Sequence, residues 1–154
     1  YDYGPKLLNR KFKIAFSQVH RDPDTGAYLY DNCTELRTDD MGVAPIVNER
    51  TGKVDAYQVY IGGSQGEKNG KATFAALGVP VGIFTEENLL KGMHDIVKVH
   101  EEWGDRKNRH WARLKYVVHA QGVEWYQNEL RAKGSTFELP NPGFDPGPRM
   151  LHHG

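Results

Sequence analysis

Between Thr85 and Gly104, the side chains of Leu89, Met93, Ile96, Val97, His100 and Trp103 recur at helical spacing. That pattern paints one stripe along an amphipathic helix over 86–103. Thr85 stands where an N-cap belongs. Glu86 and Glu87 set negative charge against the positive end of the helix dipole, and Gly104 stops the helix. A helix with one apolar stripe gains most of its stability by lying on another layer. The rest of the chain must supply that layer.

The upstream half reads as strands. Residues 11–17 (KFKIAFS) alternate charged and apolar side chains. Residues 41–48 (MGVAPIVN) and 54–61 (VDAYQVYI) flank the turn ERTGK, which predicts a hairpin over 41–61. Pro45 pushes the first of these strands toward a sheet edge. Residues 18–40 read as polar and irregular, with Asp22, Pro23, Asp24 and Gly26 as turn formers. Residues 62–71 (GGSQGEKNGK) read as a glycine-rich loop, and 72–84 as mixed, with Pro80 and Gly82 as breakers.

Downstream, a helix is expected over 109–121 with Leu114, Val117 and Val118 inward. Gly122 separates it from another over 123–133, and Gly134 follows as a C-cap. Strands early and helices late predict an α+β fold: a small mixed or antiparallel sheet of about three to five strands packed on about three helices. The domain is expected to occupy 1–138. Residues 139–154 hold Pro140, Pro142, Pro146 and Pro148 and read as a Pro/Gly-rich linker to a following domain.

Composition excludes some functions. The 154 residues suit one domain with a real core. Lys+Arg and Asp+Glu are equal at 20 each, so no global field draws in nucleic acid or a membrane surface. No apolar run reaches the ~20 residues that span a bilayer. The segment YDYGPKLLNRKF has no apolar signal core, so a cytoplasmic setting is expected. Cys33 is the 1 cysteine of the chain. It cannot form an internal disulfide, and it cannot supply the thiolates of an iron–sulfur cluster.

Three clusters could carry chemistry. In Arg10-Lys11-Phe12-Lys13, strand geometry puts Lys11 and Lys13 on one face, where they can grip an oxyanion. The competing reading is a solvated edge strand whose lysines suppress pairing. In Gly62-Gly63-Ser64-Gln65-Gly66, with Lys68 and Lys71 behind, backbone amides could face an anion or a flat cofactor. The competing reading is a plain surface loop, and the spacing fits neither a P-loop nor a dinucleotide fingerprint. In 105–115, Arg106, Arg109, Arg113 and Lys115 could dock nucleic acid or an acidic protein, or could form a solvated turn and exposed helix face. The histidines (20, 94, 100, 110, 119, 152 and 153) are scattered and suit no zinc spacing, so no metal ligand is assigned.

In order, these segments resemble the sirohaem-dependent sulfite and nitrite reductases. RKFKIAFS at 10–17 is similar to the signature opening their sirohaem-binding region, usually Leu-Pro-Arg-Lys-Phe-Lys, with Asn9 in place of the proline. DDMGV at 39–43 resembles an Asp-Ile/Met-Gly stretch. YQVYIGGSQG at 57–66 resembles a Gly-Gly-Gly-Leu/Met-Gly loop, with Ser64 and Gln65 as departures. GDRKNRHWARLKYVVHAQGVEWYQNEL at 104–130 resembles a helical pair containing Ala-Arg-Leu/Met-Lys-Tyr. The likeness runs over roughly 3–140.

The resemblance implies a nitrite/sulfite reductase 4Fe-4S domain-like fold. It implies six-electron reduction of sulfite to sulfide or nitrite to ammonia, with sirohaem and a 4Fe-4S cluster as cofactors of the full-length enzyme. Arg10 would pair with sirohaem carboxylates. Lys11 and Lys13 would bind the anionic substrate and donate protons. Gly62, Gly63, Ser64, Gln65 and Lys71 would lie along the macrocycle. The electron donor would be a ferredoxin or a flavoprotein. The cluster cysteines and the second half of the sirohaem cavity are missing from this chain, so the isolated fragment is expected to be inactive. The alternative is a basic docking module for an acidic electron-donor protein or nucleic acid.

Overall fold

The computed structural model describes residues 11–31, 36–64, 67–68, 71–72, 76–105, 107 and 112–144. Its centre is the expected hairpin. Strand β4 (Met41–Asn48) pairs antiparallel with β5 (Lys53–Ile61), from Met41 opposite Ile61 to Asn48 opposite Lys53. Gly52 closes the turn at φ 71°, a region that glycine enters without steric cost. Strand β1 (Ile14–Phe16) adds in parallel to β4, and β8 (Val79–Thr85) adds antiparallel to β5. The sheet is therefore mixed, in the order β1-β4-β5-β8.

The strands depart from expectation in four places. The first strand covers Ile14–Phe16 only, because the Lys13 amide turns away to a carboxylate at Asp40. The stretch expected to be irregular contains a hairpin of β2 (Gln18–Arg21) and β3 (Tyr28–Asp31) around the turn formers. The glycine-rich loop holds a small pair, β6 (Glu67–Lys68) and β7 (Lys71–Ala72). Strand β8 was hidden by its breakers, and both have local reasons. Pro80 sits beside a register shift on the edge strand, where a missing donor is tolerated. Gly82 lies against Phe137, whose ring would come 2.6 Å from any added Cβ.

Pro45 is placed differently from expectation too, because β4 is an interior strand. Its pairing with β1 ends at Val43, however. Backbone groups of Met41 and Val43 point to the β1 side, so the missing amide of Pro45 faces past the end of β1.

Helix α1 (Glu86–Trp103) has the predicted bounds. Helix α2 (Leu114–Gln121) begins five residues after the expected start at 109, and α3 (Val123–Ala132) follows Gly122 directly. All three cover one face of the sheet. Met41, Val43, Val59, Ile61, Val81 and Phe84 of the sheet meet Ile96, Val99, Leu114, Val117, Tyr126 and Leu130 of the helices. Each such side chain contributes roughly 1.5–3 kcal/mol on burial. Gly92 lets α1 approach the Phe84 ring, into which a Cβ would collide. Among the described residues, no helix is long and apolar enough to cross a membrane.

The other face buries Ala15, Leu36, Ala44 and Tyr60, with Phe144 packed against them. The first part of the expected linker is thus tied down. Ile83 and Glu138 exchange backbone hydrogen bonds at 2.9 Å each. The Gln58 amide donates to the Asn141 carbonyl at 3.1 Å and accepts from the Asn141 amide at 2.8 Å. Residues 145–154 lie outside the described residues.

Candidate functional site

A single 3-10 turn, Leu36–Thr38, carries the chain across the starts of β1 and β4 and the end of β5. Two glycines allow it to lie there. A Cβ on Gly42 would run into the Leu36 carbonyl oxygen, and one on Gly63 into those of Arg37 and Asp39. The Gly63 amide donates to Asp39 O at 3.1 Å, and the Gly62 amide to Asp40 O at 2.9 Å. Gly78 adds a further tie: its amide donates to Arg37 O, and its carbonyl accepts from Arg37 Nε at 3.0 Å.

This crossing delivers the Asp40 carboxylate, 1% exposed, to the head of β1. Its Oδ2 accepts from the Lys13 amide at 2.9 Å. Arg113, the residue before α2, spans both carboxylate oxygens from Nη2 at 3.2 and 3.1 Å. The Arg113 Nη1 also reaches Ser64 Oγ at 3.4 Å, and Lys115 Nζ donates to the same oxygen at 3.1 Å. Lys115 is 3% exposed. An unpaired charge costs several kcal/mol at such depth, so this arrangement of donors and acceptors holds the two cations in place.

The structure therefore brings together segments far apart in sequence: Lys13, Asp40, Gly62–Ser64 and Arg113–Lys115. Lys11 and Lys13 have exposed side chains at the rim, and Phe12 between them turns inward to the His100 ring at 5.6 Å. Gly62, Gly63 and Ser64 are buried. Their amides donate to Asp40 O, Asp39 O and Ala76 O, so they do not face outward as an anion cradle. Lys71 lies on β7, paired with Lys68. Arg10, Gln65, Arg106 and Arg109 lie outside the described residues.

Two expectations about the basic cluster are corrected. Arg113 and Lys115 do not form a solvated helix face, because the chain pulls both inward to Asp40 and Ser64. Arg113 stands just before α2, which starts at Leu114, and not on a face of that helix. Asp40 was missed as a functional residue. DDMGV resembles the family only as an Asp-Ile/Met-Gly stretch, and nothing local marks which of two adjacent aspartates turns inward.

Beside this cluster a cleft of about 330 Å³ opens between the start of β8 and α2, lined by Gly62, Leu77, Val79, Lys115, Val118 and His119. Its walls are largely apolar, with Lys115 as a cation at the Gly62 end.

A mixed sheet with three helices on one face, joined to a buried cationic cluster at a glycine turn, defines an α+β domain of a recognisable class. The family model for the nitrite and sulphite reductase 4Fe-4S domain matches residues 1–136. The chain belongs to that family. It is 35% identical over 142 residues to the sulfite reductase [NADPH] subunit beta of Saccharomyces cerevisiae, covering 91% of this chain and 9% of that protein. It is 33% identical over 131 residues to the sulfite reductase [ferredoxin] of Synechococcus elongatus, covering 84% and 19%. The sulfite reductase [NADPH] hemoprotein beta-component of Lysinibacillus sphaericus is 33% identical over 142 residues, covering 91% and 23%. Among solved structures, the Mycobacterium tuberculosis NirA protein shares the fold, with TM-score 0.56 and 17% identity over 69% of this chain and 19% of that one. The chain thus spans less than a quarter of the length of each of these relatives.

The family description names a 4Fe-4S cluster, and the residues here do not fit one. The chain has 1 cysteine, and among the described residues no three His, Cys, Asp or Glu side chains gather as ligands.

Proposed function

We propose that this chain is a portion of a sulfite or nitrite reductase that supplies basic residues to the sirohaem and substrate-anion site. One observation carries the reading beyond family membership. The segments resembling the family's separate motifs meet at one place, through Asp40, Ser64 and the head of β1.

In this reading Lys11 and Lys13 bind the oxyanion by charge-assisted hydrogen bonds and deliver protons as oxygen leaves. Arg10 pairs with carboxylates of the macrocycle. Gly62, Gly63, Ser64, Gln65 and Lys71 flank it, and the partly buried Arg113 and the buried Lys115 add positive potential behind them. Sirohaem, when bound, supplies the iron that takes the substrate and the path for electrons. The cluster ligands and the other half of the cavity come from outside this chain. The unit of 1–138 then serves as one half of the site, connected onward to a further domain. The donor is a ferredoxin or a flavoprotein and the setting cytoplasmic. The name of one relative carries ferredoxin, and that of another carries NADPH.

The test is Lys11→Ala and Lys13→Ala in the complete reductase carrying this segment. Losing a proton donor from the site costs about 10²-fold or more in turnover. The expected result is that loss for at least one variant, with an unchanged melting temperature. Wild-type turnover in both would overturn the reading.

A further inference from the structure

Lys13 stands just outside the β1 ladder, yet both ends of its backbone are fixed. Its amide donates to Asp40 Oδ2 at 2.9 Å, and its carbonyl accepts from the Met41 amide at 3.1 Å. Asp40 also takes the Gly62 amide on its own carbonyl at 2.9 Å. One residue therefore ties the lysine segment to the glycine turn. Arg113 grips both carboxylate oxygens and keeps the carboxylate from rotating. Just ahead of β1, Phe12 rests on the buried His100 ring. Phe12 is thus held inward while Lys11 and Lys13 on either side of it are exposed.

A buried ion pair adds little net stability compared with apolar groups of the same volume, and its best attested use is to fix one geometry. The geometry fixed here is that of a backbone carrying two exposed lysines. We propose that Asp40, held by Arg113, is a positioning residue: it sets the aim of Lys13 relative to the Gly62–Ser64 turn. This rests on the reading that these lysines act on the substrate anion. Asp40 itself acts through the Lys13 backbone and does not touch the reacting atoms.

The test is a double-mutant cycle in the complete reductase: Lys13→Ala, Asp40→Asn and the two combined, each measured for kcat, KM and melting temperature. Asp40→Asn keeps the shape and one acceptor oxygen, and loosens the grip of Arg113. A misplacement of about 1 Å at a reacting group costs about 10²-fold, so Asp40→Asn should lower kcat by about 10–100-fold. In the Lys13→Ala background it should lower kcat by less than about twofold, since coupled residues are non-additive. An equal loss in both backgrounds, or no loss in either, would overturn the positioning role while leaving the function proposed above intact. If Lys13→Ala itself leaves kinetics unchanged, the positioning role fails, whereas the function proposed above fails only if Lys11→Ala is unchanged as well. Should Asp40→Asn fold poorly, Asp40→Asn with Arg113→Gln removes both charges and is read by the same cycle.

Discussion

Lys115 Nζ and Arg113 Nη1 converge on one oxygen, Ser64 Oγ, at 3.1 and 3.4 Å. Ser64 stands where the family resemblance leads one to expect glycine. A hydroxyl at this depth takes the place of water around two cations that glycine could not solvate. Hydrogen bonds to charged groups contribute about 1.5–3 kcal/mol. Ser64→Ala should therefore destabilise the chain by about 2 kcal/mol in urea unfolding, with an unchanged m value.

Gly42 and Gly122 should respond differently to alanine. At Gly42 a Cβ would meet the Leu36 carbonyl oxygen and lie 2.8 Å from the Leu36 Cβ, so the turn over the site must move. At Gly122 nothing lies within 4 Å, and only its φ of 86° resists a side chain. Overpacking costs about 1–3 kcal/mol, and more where backbone atoms must move, whereas holding one residue at φ 86°, ψ 161° costs about 1–3 kcal/mol. Equilibrium unfolding should rank Gly42→Ala as the more damaging. It should also be the one that disturbs the Lys13 amide environment in a proton–nitrogen correlation spectrum.

Tyr126 is fully buried, and its hydroxyl donates to Ile96 O at 2.6 Å. Burial, with a smaller contribution from Glu102, holds its phenol well above the ordinary value of 10.0. A raised pKa means that the folded chain holds the proton more tightly than the unfolded chain does. The stabilisation is therefore complete below the unfolded value and is lost as pH climbs from there toward the folded one. Tyr126→Phe should cost about 1 kcal/mol at neutral pH through the lost hydrogen bond. It should also flatten part of the alkaline fall in melting temperature, measured from roughly pH 9 to 12. Parallel alkaline limbs for the two proteins would contradict this.

The sequence made some elements plain and concealed others for physical reasons. Helix α1 was legible to the residue, because Thr85, the two glutamates and Gly104 mark both ends of one apolar stripe. Strand β8 was not, because Pro80 and Gly82 are breakers in isolation, and only the edge position and the Phe137 ring explain them. The cationic site was half legible. The lysines at 11 and 13 and the glycines at 62 and 63 stand out locally. The role of Asp40 depends on partners 27 and 73 residues away, and no local pattern encodes such a meeting. Lys115 follows the same logic: a lysine near a basic turn looks solvated in sequence, and only the fold brings Ser64 to it.

The proposed function makes this chain one cationic side of a sirohaem site that the isolated chain does not complete. The most direct measurement is sulfide production by the purified chain mixed with sirohaem, sulfite and a strong low-potential electron donor. The expected result is no sulfide above that made by free sirohaem under the same conditions. Sustained, chain-dependent sulfide formation would contradict it.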